Sequence, residues 1–309
     1  MSVVPASLVN AGPRTVGQFQ VGPISYGQWR YTSDDLAAAQ RLVEVALDAG
    51  MNLIDTADVY GFDWGGTGFG SVEDLLGKVM AGSPGLRERM VLATKGGIMP
   101  PLPYDSSDAY IRSAVDASLT RLQTDVLDLY QIHRPDMFTH PAQLAETLSS
   151  LRDAGKIKEV GVSNFTPDQY EALAAHLPFP LATTQPEFSA LQLAPMRDGT
   201  FDKAMRDGVV PMAWSPLGGG RLFLEPTTIA DDAPYPELIT LLDSLAEREG
   251  VDRAAIAIAF VLAHPSAPIA IIGTQREERI QSATTALGVT LTRQDVYGIV
   301  QASEGVPLP

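Results

Sequence analysis

The chain has 309 residues, 45% of them apolar, no cysteine, and a formal charge of −15 from 37 acidic and 22 basic side chains. That length and apolar share suit one large α/β barrel as well as two average domains, the acidic balance works against binding a phosphate backbone, and the missing thiols exclude disulfides and thiolate metal sites. MSVVPASLVN lacks the basic and apolar regions of a secretory leader, and the longest apolar stretch, AAIAIAFVLA at 254–263, is too short to span a bilayer. A cytoplasmic protein with neither a membrane nor a nucleic-acid partner is expected.

Along the chain, helix and strand patterns alternate. RTVGQFQVG reads as a hairpin placed to plug the bottom of a barrel, and PISYG as the first buried strand. SDDLAAAQRLVEVALDAG reads as a helix capped by Ser33, with acids in its first turn, an apolar stripe at Leu36, Ala39, Val43 and Leu47, and a stop at Gly50. The pairing then repeats. MNLID precedes SVEDLLGKVM, MVLATK precedes SSDAYIRSAVDASLTRL, and DVLDLYQIH precedes PAQLAETLSSLRDAG. KIKEVGVSN precedes TPDQYEALAAHL, where Thr166 and Gln169 form a capping box around Pro167. LATTQ precedes TFDKAMRDG, VVPMAWS precedes YPELITLLDSLAEREG, and PIAIIGT is the eighth strand. DRAAIAIAFVLAHP is an extra helix before that last strand, and TRQDVYGIVQA closes the chain. Eight strand–helix units in this length predict a closed (β/α)8 barrel, one domain over residues 1–309. The absence of an early G-x-G-x-x-G after a strand argues against a Rossmann domain.

Four residues carry the chemistry. Asp55 and Tyr60 in LIDTADVYG, Lys95 in VLATKGG and His133 in LDLYQIHRPD each sit at or just past the downstream end of a strand, and in such a barrel those ends open on one face. A phenol needs a nearby cation to release its proton near neutral pH. Lys95 is that cation, and a buried lysine needs a carboxylate such as Asp55 to stay charged. His133 can hold a substrate oxygen or assist proton transfer. Together these residues predict a carbonyl-reducing site.

With these motifs, and with GVSNF, TTQPE, AWSPLGGGRL and IIGTQREERI following in order, nearly the whole chain resembles the aldo-keto reductase superfamily, in particular a bacterial branch carrying GVSNFTP and PMAWSPLGGGRLF. The resemblance implies a (β/α)8 enzyme that binds NADPH across the barrel mouth and reduces a small carbonyl substrate. Asp55, Tyr60, Lys95 and His133 would be its tetrad, with Tyr60 as general acid. Cofactor contacts carry over to Gly27, Gln28 and Trp29 after the first strand. Ser163, Asn164 and Gln185 would bond the carboxamide, and Trp214 would stack under the nicotinamide. Ser215, Leu217, Gly219 and Arg221 fall in the pyrophosphate loop, and Gly273, Thr274, Arg276, Arg279 and Ser282 at the adenosine end. Ser282 and Ala283 stand where many members have an acid and an asparagine against adenine.

For the substrate, the resemblance points to HRPDMFTHP, RLFLEPTTIADDAPYP and SEGVPLP as pocket loops, with Trp29, Trp64 and Phe138 as apolar walls. No basic residue in them stands out as a carboxylate clamp, so neutral aldehydes or ketones are expected. Two alternatives stand beside reduction: a non-catalytic nicotinamide-nucleotide-binding regulator on the same barrel, and a Schiff-base lyase using Lys95.

Overall fold

The computed structural model describes residues 7–63, 65–224 and 236–308. Its first elements are short antiparallel strands, β1 (Arg14–Val16) and β2 (Phe19–Val21). Eight parallel strands follow: β3 (Ile24–Gly27), β4 (Leu53–Asp55), β5 (Val91–Gly96), β6 (Leu127–Ile132), β7 (Ile157–Ser163), β8 (Thr183–Gln185), β9 (Val210–Ala213) and β10 (Ile269–Ile272). They close into a barrel in chain order, with β10 beside β3. Between them lie α1 (Leu36–Asp48), α2 (Ser71–Gly82), α3 (Asp108–Leu122), α4 (Pro141–Asp153), α5 (Pro167–Ala174) and α6 (Thr200–Asp207). α7 (Pro236–Glu249) and α8 (Arg253–Leu262) precede β10, and α9 (Glu277–Ala283) and α10 (Arg293–Glu304) follow it. No helix among the described residues is long and apolar enough to cross a membrane.

Strand alternation divides the core in two. Outward residues such as Ile54, Leu92, Ile132, Val160 and Val162 pack under the helices. Inward residues Leu53, Val91, Ala93, Leu129, Ala182, Met212 and Ile269 fill the barrel, and Val16 and Val21 of the hairpin join this inner cluster. The hairpin therefore seals the barrel floor, as its sequence suggested. Gln18 at its turn ties it to β7 by donating its backbone N–H to Glu159 Oε1.

The same alternation delivers the site. Counting upward by two from the inward apolar residues gives Leu53 then Asp55; Val91, Ala93 then Lys95; Leu129, Gln131 then His133; and Met212 then Trp214. The lower positions are apolar because they are sealed. The upper ones can be polar because they reach the open end.

The capping box of α5 forms as expected, with Thr166 and Gln169 bonding each other's backbone. The start of α1 differs. Asp35, not Ser33, is the cap, its Oδ1 accepting from Ala37 and Ala38 N–H. Ser33 instead accepts from the Asp35 N–H in a short local turn, so the acids precede the helix and Leu36 is exposed. A carboxylate two residues nearer the first turn is the better-placed acceptor for its free N–H groups.

Candidate active site

Lys95 is the centre of the site and is fully buried. Its Nζ lies 2.7 Å from Asp55 Oδ2, donates to the Thr56 carbonyl at 2.7 Å and reaches the Tyr60 hydroxyl at 3.3 Å. The other Asp55 oxygen, Oδ1, accepts from Gln185 Nε2 at 3.1 Å and Gln131 Nε2 at 3.3 Å. Gln131 is in turn held by Thr183 Oγ1 at 3.1 Å. Both charges are therefore paired and hydrogen-bonded, which a buried ion pair requires. Burial opposes the ammonium, but the charges and hydrogen bonds of Asp55 and Tyr60 outweigh it and hold the Lys95 pKa above its ordinary value. A lysine kept charged is a poor Schiff-base nucleophile, which counts against the lyase alternative.

Tyr60 corrects one expectation. Lys95 does pull its pKa down, but burial pushes harder and Asp55 adds to the push, so the phenol sits above its ordinary value. It keeps its proton at neutral pH, and Lys95 moderates the cost of releasing it. His133 stands edge-on to Tyr60, with ring centroids 5.8 Å apart. Burial, then the charges of Lys95 and Arg134, hold the imidazole well below its usual pKa, so it is neutral at pH 7. Its Nδ1 is buried without a partner.

Around this group opens a cleft of about 1200 Å³, above the range of pockets that hold one drug-sized molecule. Gly27, Gln28 and Trp29 line it beside Asp55, Tyr60 and His133. Ser163, Asn164, Gln185, Trp214, Ser215, Leu217, Gly219 and Arg221 line its middle, and Gly273, Thr274, Arg276, Arg279 and Ser282 its far end. Lys95 does not line the cleft; it lies behind Tyr60. Asn164, in a left-handed conformation, accepts from Trp214 Nε1 at 3.0 Å and donates to Ser163 Oγ at 2.8 Å. This fixes the indole against the polar wall.

The cleft suits an extended dinucleotide. Gly218, Gly219 and Gly220 all have positive φ, and added Cβ atoms at the last two would meet nothing within 4 Å, so their backbone borders open space. Arg276 and Arg279 are exposed, with no ion-pair partner among the described residues. Arg221 is instead tied back to the Gly218 carbonyl at 3.0 Å. At the far end of the cleft Ser282 donates to Asp252 Oδ2 at 2.8 Å, so the cap of α8 brings to this end an acid that the sequence around Ser282 lacks.

Some pocket expectations fail. Phe138 is 95% exposed and does not line the cleft, because the loop after β6 turns outward once past Arg134. Tail residues 303–308 do not line it either. Trp64 and 225–235, which include most of the expected loop after β9, lie outside the described residues. Sequence reasoning also missed Gln131, Thr56, Arg134, Glu187 and Asp252. Inward parity could have found Gln131, two residues before His133. Nothing local marks Asp252, which the fold brings in from a distant helix.

Behind the site a second polar cluster is sealed between the strands and α2 and α3. Asp58 is buried, and its Oδ2 accepts a long hydrogen bond from the Tyr110 hydroxyl at 3.4 Å. Burial, then the charge of Glu73, raise its pKa well above the carboxylate range, while Arg121 opposes them. A carboxyl whose folded pKa is raised favours the fold fully below its unfolded value of about 4. That advantage is lost as pH rises through the folded value. Urea melts at pH 5 and 8 should show a larger fall in midpoint for wild type than for Asp58→Asn, which stays neutral throughout. Equal falls would remove Asp58 as the source.

The Aldo/keto reductase family model matches residues 23–304. A 6-dehydroglucose reductase from Novosphingobium aromaticivorans is 50% identical over 291 residues, 94% of each chain. A second, from Agrobacterium fabrum, is 35% identical over 93% of this chain and 96% of its own. Among solved structures, a glycerol dehydrogenase from Gluconobacter oxydans superposes with a TM-score of 0.83 at 27% identity, covering 97% of both chains. Relatives named as oxidoreductases, a matching family model and a closed barrel with its polar group at the mouth lead to one conclusion: the chain belongs to the aldo-keto reductase family and is an enzyme of that family.

Proposed function

We propose that the protein reduces an aldehyde or ketone to an alcohol with NADPH, in the cytosol, and that Tyr60 is the general acid. The observation that carries this reading is the Lys95 ammonium held between Asp55 and the Tyr60 hydroxyl at the cleft wall. When bound, the nicotinamide supplies the hydride. Tyr60 gives its phenolic proton to the carbonyl oxygen, and Lys95 stabilises the phenolate left behind. Neutral His133 orients that oxygen by a hydrogen bond. Gln131 and Gln185 hold Asp55 so that Lys95 stays charged. Trp214 would floor the nicotinamide, and the 218–220 glycines would admit the pyrophosphate. The relatives' name makes a sugar bearing an aldehyde the first carbonyl to assay, and NADPH consumption over an aldehyde and ketone panel tests the reading.

The preference for NADPH is assigned to Arg276 and Arg279, three apart at the start of α9 and free to clamp a 2′-phosphate. Replacing both by alanine should weaken NADPH by about 100-fold, since a hydrogen bond to a charged group contributes roughly 1.5–3 kcal/mol, and should leave NADH nearly unchanged. Fluorescence titrations with each nucleotide measure this; equal losses would assign the arginines to adenine or to structure.

A further inference from the structure

Two charged side chains that line the cleft have no role in the chemistry described so far. Arg134 follows His133, is half-buried in the cleft wall, and places its guanidinium carbon 5.9 Å from the Trp214 ring. Among the described residues no carboxylate lies within ion-pair distance of it. Its charge is felt at Tyr60, at the adjoining His133 and at Glu187. Glu187 stands just beyond β8, where its backbone bridges to Trp214, and it too lines the cleft, with its side chain 26% exposed. It forms a long ion pair with Arg221 at 3.9 Å, beyond hydrogen-bond distance, so its carboxylate oxygens keep acceptor capacity. A five-donor fork with no ion pair and an acceptor carboxylate with only a long one thus border the same cleft.

A half-buried charge that loses water on substrate binding must regain hydrogen bonds. An alkyl aldehyde offers none beyond its carbonyl. An anionic aldehyde would satisfy Arg134 but would face Glu187 and the chain's net charge of −15. A chain of neutral hydroxyls satisfies both, since each hydroxyl can accept from a guanidinium and donate to a carboxylate. Resting on the proposed reductase activity, we infer that Arg134 and Glu187 select a neutral polyhydroxylated aldehyde, such as a sugar carrying a terminal aldehyde, by hydrogen-bonding the hydroxyls of its chain. Hydride forms the new C–H bond, the Tyr60 proton forms the O–H bond, the aldehyde becomes a primary alcohol, and NADPH is oxidised.

The test compares kcat/KM for D-glyceraldehyde and a hexose oxidised to the aldehyde at C6 with values for butanal and for succinic semialdehyde. The hexose aldehyde should exceed butanal by at least about 100-fold, because a site built to bond hydroxyls rejects analogues lacking them strongly, and glyceraldehyde should fall between. Arg134→Met and Glu187→Gln should each cut the hexose-to-butanal ratio by about 10-fold or more. A merely structural role would lower both substrates together and leave the ratio unmoved, and melting curves report whether each variant is folded. Butanal turned over as well as the hexose aldehyde overturns the inference, as does a preference for succinic semialdehyde, which would make Arg134 an anion clamp. Both of those results leave the reductase reading standing. Absence of NADPH oxidation with every carbonyl sinks that reading, and the inference with it.

Discussion

Tyr60→Phe is expected to lower carbonyl reduction by 10²–10⁴-fold, the usual contribution of a general acid, while NADPH affinity changes little. The hydroxyl is the proton source in the proposed reaction but only the third contact of Lys95 Nζ, which keeps Asp55 Oδ2 and the Thr56 carbonyl, both at 2.7 Å. The ion pair and the barrel wall should therefore survive, so the loss should appear in kcat with melting temperature nearly unchanged. Steady-state kinetics and a nucleotide titration on the same preparation separate the two effects. Retention of more than about a tenth of wild-type turnover would remove Tyr60 as the acid.

Lys95→Met should reduce turnover by a comparable factor and should also destabilise the protein. Breaking a buried pair by removing one partner costs about 3–5 kcal/mol, because the remaining charge is stranded. Here the stranded group is Asp55, left with only the two amide donors of Gln131 and Gln185. The variant must therefore be assayed well below its melting temperature. What identifies tuning rather than loss of structure is the pH profile. Lys95 draws the Tyr60 pKa down against burial. Without it the phenol should hold its proton more tightly, and the alkaline limit of the residual reduction should move to higher pH. A residual activity with the wild-type alkaline limit would show that Lys95 supports the fold without setting the acidity of Tyr60.

Much of this protein was legible in the chain itself, because the signals are local or periodic. Strand and helix alternation, the Thr166–Gln169 capping box and the hairpin ahead of β3 each depend on residues close in sequence, and each appears in the structure. The grouping of Asp55, Tyr60, Lys95 and His133 was legible because a parallel barrel sends every strand end to one face, so sequence position beside a strand already implies spatial grouping. The start of α1 was misplaced because Ser33 and Asp35 are both good caps, and only backbone geometry decides which carboxylate or hydroxyl meets the free N–H groups.

What the tertiary structure alone decided are balances and distant meetings. Whether Lys95 or burial sets the Tyr60 pKa depends on how completely the surrounding strands exclude water, and the packed barrel tips the sum upward. Asp252 reaches the far end of the cleft because α8 packs beside α9, and Ser282, thirty residues away, closes the contact. Arg134 and Glu187 share a cleft because β6 and β8 open on the same face, although fifty-three positions separate them. Phe138, four residues after Arg134, turns out to solvent instead. Spacing and residue type set what each side chain can do. Dielectric, neighbours and direction of approach come only from the closed barrel, because they are sums over residues that the chain keeps far apart.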